Sequence, residues 1–225
     1  MPVEEIVALS VGTEKLSGYL AYPEGEGPFP GVVVIHEIFG LNDNIKDIAR
    51  RFADEGYAAF AIDLFAGRNR TICMFRFMSQ ILTNPLNNGS IRNLKQALTY
   101  LGRQPRVDAE RLGTIGFCMG GSFAVAWACS DTRLKAIAPF YAMNPRPLEA
   151  VARSCPVVGS YPREDFTTKA AQRLDEALTQ HQVEHDIKIY PGTKHSFFND
   201  QGKTYDASAS QDAWQRVLAY FQAHI

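Results

Sequence analysis

Gly116-Phe117-Cys118-Met119-Gly120-Gly121 is the segment of this sequence best suited to covalent chemistry. A cysteine stands between glycines two residues to either side, where an apolar run gives way to a small-residue helical stretch. That is the form of a nucleophile elbow, G-x-S-x-G, with cysteine in the serine position. The glycines let a strand and a helix approach around a strained turn. The turn lifts the side chain clear at the helix amino terminus, where the dipole favours a thiolate. The competing reading is a buried structural cysteine in a tight turn.

A nucleophile needs a base, and the base needs an orienting group. Of the five histidines, His195 lies in Tyr190-Pro191-Gly192-Thr193-Lys194-His195-Ser196-Phe197, a loop expected directly after the last strand. His181 and His185 flank a helix–strand junction and read as solvated surface residues, His224 is terminal, and His36 reads as structural. For the acid, Asp165 follows an expected strand at Cys155–Gly159 through the turn Ser160–Glu164. Glu164 is the competing carboxylate, whereas Asp175 and Asp186 fall inside regular elements. The order Cys118, Asp165, His195 is the chain order of α/β-hydrolases.

With these residues in place, the sequence resembles the dienelactone hydrolase (carboxymethylenebutenolidase) family from about residue 5 to residue 222. The resemblance rests on His36-Glu37-Ile38-Phe39-Gly40-Leu41, Ala61-Ile62-Asp63-Leu64-Phe65, the Gly116–Gly121 elbow, Asp165, and Lys194-His195-Ser196-Phe197. It implies that Glu37, just past a buried strand, holds the proton of the resting cysteine and lets the thiolate form when substrate binds. The other reading of Glu37 is a loop acid at the surface. Elbow geometry points to the backbone N–H groups of Met119 and Ile38 as an oxyanion hole.

Family members that act on dienelactone hold its carboxylate with two arginines, one in a cap and one four residues after the histidine. Here the second position is Asn199. Arg76 is the better candidate for the cap arginine, with Arg68 and Arg70 as alternatives. Phe39, Tyr141 and Phe197 could line the pocket or belong to the core. From Leu64 to Val107 there is no Asp or Glu, yet Arg68, Arg70, Arg76, Arg92, Lys95, Arg103 and Arg106 fall there. Such a field suits a negative ligand, while Arg92 to Arg106 also read as a solvated helix face.

The elements that must position these residues alternate between β-rich and helical runs, which predicts a mostly parallel sheet with helices on both faces. Strands are expected at 3–10, 16–22, 31–35, 57–62, 111–117, 134–140, 155–159 and 185–190, the first two an antiparallel pair turning near Gly12-Thr13. Helices are expected at 42–55, 88–103, from 122, 168–181 and 206–223. Residues 64–87 are the least regular stretch and a candidate active-site cap. The expected fold is therefore a single α/β-hydrolase domain over residues 1–225, with about eight strands and a small irregular cap. In such sheets ligands bind beyond the carboxyl ends of the strands.

A chain of 225 residues, 46% hydrophobic and 21% charged with net charge −1, fits a soluble globular domain with no drive towards nucleic acid or acidic membranes. No run approaches the roughly 20 apolar residues that span a bilayer. The opening Met1-Pro2-Val3-Glu4-Glu5 lacks the basic and apolar regions of a signal peptide, so the cytoplasm is the expected location. Neither the cysteine nor the histidine spacing suggests a metal site, and no cofactor is expected. Cys129 and Cys155 read as small core residues. The expected activity is hydrolysis of a small anionic or activated ester or lactone by a monomer or small homo-oligomer. The rivals are a general carboxylesterase or thioesterase and a catalytically silent binding protein.

Overall fold

Val32-Val33-Val34-Ile35 is apolar without alternation because both of its faces are covered: Val32 and Val34 join one core layer, Val33 and Ile35 the other. In the computed structural model, which describes residues 3–11, 14–66 and 69–225, this strand lies within one eight-stranded sheet. The strands are β1 (Val3–Val11), β2 (Glu14–Tyr22), β3 (Phe29–Ile35), β4 (Ala58–Asp63), β5 (Val107–Phe117), β6 (Leu134–Phe140), β7 (Val157–Glu164) and β8 (His185–Lys194). Their order is β1-β2-β4-β3-β5-β6-β7-β8. β1 and β2 pair antiparallel, β2 joins β4 antiparallel, and every later pairing is parallel. The expected turn at Gly12-Thr13 lies outside the described residues.

Among the described residues six α-helices flank the sheet: α1 (Asp43–Asp54), α2 (Arg70–Thr83), α3 (Gly89–Gly102), α4 (Met119–Ala128), α5 (Thr168–Gln180) and α6 (Ala207–His224). One layer holds α1 and α6 through Ile45, Ile48, Phe52, Trp214, Val217 and Phe221. The other holds α2 to α5, with Phe77, Leu94, Leu98, Phe123, Trp127 and Leu174 against the sheet. Asn42, Asn69, Asn88 and Asp206 cap α1, α2, α3 and α6, each accepting a backbone N–H three residues on. Among the described residues no helix is long and apolar enough to cross a membrane.

Two expectations need correcting. Residues 70–83 are a regular helix rather than an irregular stretch, with only Cys73 and Phe77 buried. β7 and β8 also run further than their sequences suggest, through Glu164 and Lys194. Asp165 and His195 are therefore the first residues beyond those strands, as expected in order but with no intervening loop.

Candidate active site

Glu37, Cys118, Tyr141, Asp165 and His195 each follow a strand end, those of β3, β5, β6, β7 and β8. These five strands are consecutive neighbours across the sheet, so five sequence-distant residues meet along one edge.

Cys118 has φ +54° and ψ −113°, a conformation that costs a non-glycine residue roughly 1–3 kcal/mol and survives only where the surroundings impose it. Its N–H donates to the Phe140 carbonyl at 3.0 Å, and its own carbonyl accepts from the Ser122 N–H at 3.0 Å. The flanking glycines are required by contact. A Cβ on Gly116 would stand 2.3 Å from the Gly120 oxygen, and one on Gly120 would stand 2.4 Å from the Ile35 oxygen. The small residues therefore bring α4 against both β3 and β5.

At rest Cys118 is a thiol. Burial, reinforced by the Glu37 carboxylate, pushes it up to about 12 against the opposing pull of the Met119 N–H. The helix amino terminus alone does not make a thiolate here. Alkylation of Cys118 by iodoacetamide, followed by peptide mass spectrometry, should therefore keep accelerating past pH 9 without a plateau. Glu37→Gln removes the carboxylate's charge and should speed alkylation at pH 8 by about 3- to 10-fold. An unchanged rate would show that Glu37 does not hold the thiol neutral.

Glu37 is 4% exposed, and its Oε1 accepts from Tyr141 Oη at 2.8 Å and Ser196 Oγ at 3.0 Å. Burial and the same carboxylate push the Tyr141 phenol well up, so it stays a donor. Tyr141 and Ser196 both have positive φ, +38° and +62°. Ser196 was not foreseen; its position next to His195 was the only sequence signal. His36 is wholly buried and structural, as expected. Its Nε2 accepts the Leu64 N–H at 3.0 Å, leaving Nδ1 to donate to the Glu37 carbonyl.

His195 Nδ1 lies 2.8 Å from Asp165 Oδ2, and the Asp165 side chain is 4% exposed. Thr167 Oγ1 donates to the same carboxylate oxygen. The His195 ring stacks on Phe166 with centroids 5.0 Å apart and lies 4.9 Å from the Tyr141 ring. Glu164 is exposed and makes no such contact.

A cavity of about 110 Å³ is lined by Cys118 together with Ile38, Met119 and Tyr141 and with Met78 and Ile81 of α2. Three expected lining residues are elsewhere. Phe197 is wholly buried among Phe140, Tyr141 and Tyr190, because the turn at Ser196 sends it into the core. Phe39 is 48% exposed at the surface, where its carbonyl accepts from Arg70. Arg76 lies against the Phe77 ring with its Nε buried and unpartnered, away from this lining. Arg68 lies outside the described residues, and Asn199 is buried in the turn after His195, its oxygen accepting from the Gln201 N–H.

Residues 16–225 match the model of the dienelactone hydrolase family. A Saccharolobus solfataricus protein provisionally named carboxymethylenebutenolidase is 33% identical over 92% of this chain and 94% of its own. A Bradyrhizobium protein provisionally named 2-oxo-3-(5-oxofuran-2-ylidene)propanoate lactonase is 29% identical over 96% of this chain and 94% of its own. Among solved structures, one from Klebsiella pneumoniae provisionally described as a dienelactone hydrolase superposes with TM-score 0.86 at 27% identity, covering 99% of each chain.

Proposed function

The chain belongs to the dienelactone hydrolase family and is a hydrolase of ester or lactone bonds; from that premise we propose that it works through an acyl-cysteine at Cys118. The observation that carries this reading is a strained cysteine on a cavity, held at the same sheet edge as a bonded Asp165–His195 pair.

As substrate binds, the Cys118 proton passes to Glu37. Sγ then attacks the carbonyl carbon, and the oxyanion is held by the N–H groups of Met119 and Ile38. His195 relays the proton held on Glu37 to the departing oxygen as the carbon–oxygen bond breaks. Water, deprotonated by His195, next attacks the thioester; the carbon–sulfur bond breaks, the Cys118 sulfur takes up that proton, and the acid leaves. Asp165 holds His195 in the tautomer this requires. α2 serves as the cap that covers the acyl group.

A cysteine is both a good nucleophile and a good leaving group, so the reaction suits acyl groups whose oxygen departs readily. We place the substrate among small anionic or activated enol esters and lactones. The keto-acid lactone in the Bradyrhizobium relative's name is of that kind. Four unpaired cysteines suit a reducing compartment, and we assign the chain to the cytoplasm.

The test is a panel of aryl esters, enol lactones, alkyl esters and thioesters, each followed by kcat/KM. Enol lactones and aryl esters should exceed alkyl esters by at least about 100-fold. Equal rates across the panel would remove the leaving-group argument, and faster thioester turnover would make the chain a thioesterase.

A further inference from the structure

Beside the Cys118 cavity lies a cleft of about 310 Å³ that the mechanism above leaves unused. Met143 and Phe166 line both spaces, so the two adjoin. The cavity alone is smaller than the roughly 300 Å³ at which ligand pockets usually begin. The cleft supplies the missing room.

Its lining is cationic. Arg146 comes from the segment after β6, and Lys169 and Arg173 from the start of α5. No carboxylate shares the lining, and among the described residues none of the three cations is in an ion pair. This arrangement opposes helix stability twice. Lys169 and Arg173 are like charges four residues apart, and Lys169 sits in the first turn, where the helix dipole disfavours a cation. The first turn of α5 holds no acidic residue to compensate. Dipole and side chains thus make one positive field. Asn144 is fixed by its Nδ2 donating to the Ala170 carbonyl at 2.8 Å, which leaves its buried Oδ1 without a donor. Asn144 thus brings an unfilled acceptor to the cleft wall.

We propose that this cleft is the anion-binding part of the substrate site, taking the carboxylate of an ester or lactone whose carbonyl lies at Cys118. The inference rests on Cys118 as the reacting group. It gives the anion a partner that neither Asn199 nor Arg76 supplies, since one is uncharged and the other does not line the site.

The probes are a butenolide bearing an exocyclic carboxylate and its neutral methyl ester, titrated calorimetrically into Cys118→Ala. The carboxylate should bind more tightly than the ester. The affinity ratio should fall about 3-fold for Arg146→Ala, Lys169→Ala or Arg173→Gln alone, and about 30-fold for the three together. Raising salt should shrink the ratio in the otherwise unaltered cleft. Arg76→Ala should leave the ratio as it is. A ratio near one in Cys118→Ala, or one that the triple variant preserves, overturns the proposal. So does a ratio that collapses only with Arg76→Ala. Residual hydrolysis by Cys118→Ala would instead count against the nucleophile, and the ratio would then be read from KM.

Discussion

Cys118→Ala should give a folded chain that binds substrate but has lost hydrolysis, with turnover well below one per cent of the parent. Removing the nucleophile of a serine triad costs on the order of 10⁶-fold, and among the described residues no other thiol or hydroxyl is framed by glycines at a strand–helix junction. The fold should tolerate the change. Alanine carries the same Cβ as cysteine, so it meets the positive φ at similar cost, and Ala66 already adopts φ +49° in this chain. The decisive measurement is kcat/KM on an aryl ester beside a thermal melt. Retention of more than a few per cent of turnover, with the melt unchanged, would move the chemistry elsewhere. Cys118→Ser should also be much weaker, because the buried Glu37 network is arranged around a thiol. A serine variant as active as the parent would refute that arrangement.

Asp165→Asn should lower kcat/KM by about 10⁴-fold, the loss seen when the equivalent change is made in the best-studied serine triad. Asp165 Oδ2 accepts from His195 Nδ1, so the imidazole is oriented with its other nitrogen free. An amide can turn its NH₂ towards His195 and favour the opposite tautomer. Glu164→Gln alters an exposed side chain one residue away and should change the rate by less than about 3-fold. If the two effects came out reversed, the acid would be Glu164. Circular dichroism on both variants separates chemistry from folding.

The strands were legible because burial on both faces demands unbroken β-branched runs such as Val32–Ile35, and the elbow was legible because its glycines answer a contact requirement. α2 was not. In Arg70–Thr83 the apolar residues fall all round the helix, with Ile72, Phe75, Met78 and Leu82 exposed. No stripe marks one side as inward. Phe197 misled for a local reason: the positive φ at Ser196 reverses the direction the chain takes after His195. The cations misled through their partners. Arg70, Lys95 and Arg106 in the acid-free stretch donate to the carbonyls of Phe39, Ser130 and Pro23, which tie loops together. Arg146, Lys169 and Arg173 are scattered among Glu149, Asp175 and Glu176, so nothing in the sequence groups them.

The five strand ends that carry Glu37, Cys118, Tyr141, Asp165 and His195 also govern how a refolding chain regains activity. Each of these parallel pairings joins segments far apart in sequence, and such pairings form slowly because loop entropy is lost before contacts compensate. Helix content can return while β3 and β5 are still unpaired, but Glu37 then has no fixed relation to Cys118. Recovery of turnover should thus lag recovery of helical signal and coincide with closure of the longest-range of these pairs, β3 with β5, where Gly31 meets Leu112. A half-assembled sheet has no half-working site, and catalysis is a stricter gauge of the native state than any spectroscopic measure of its helices.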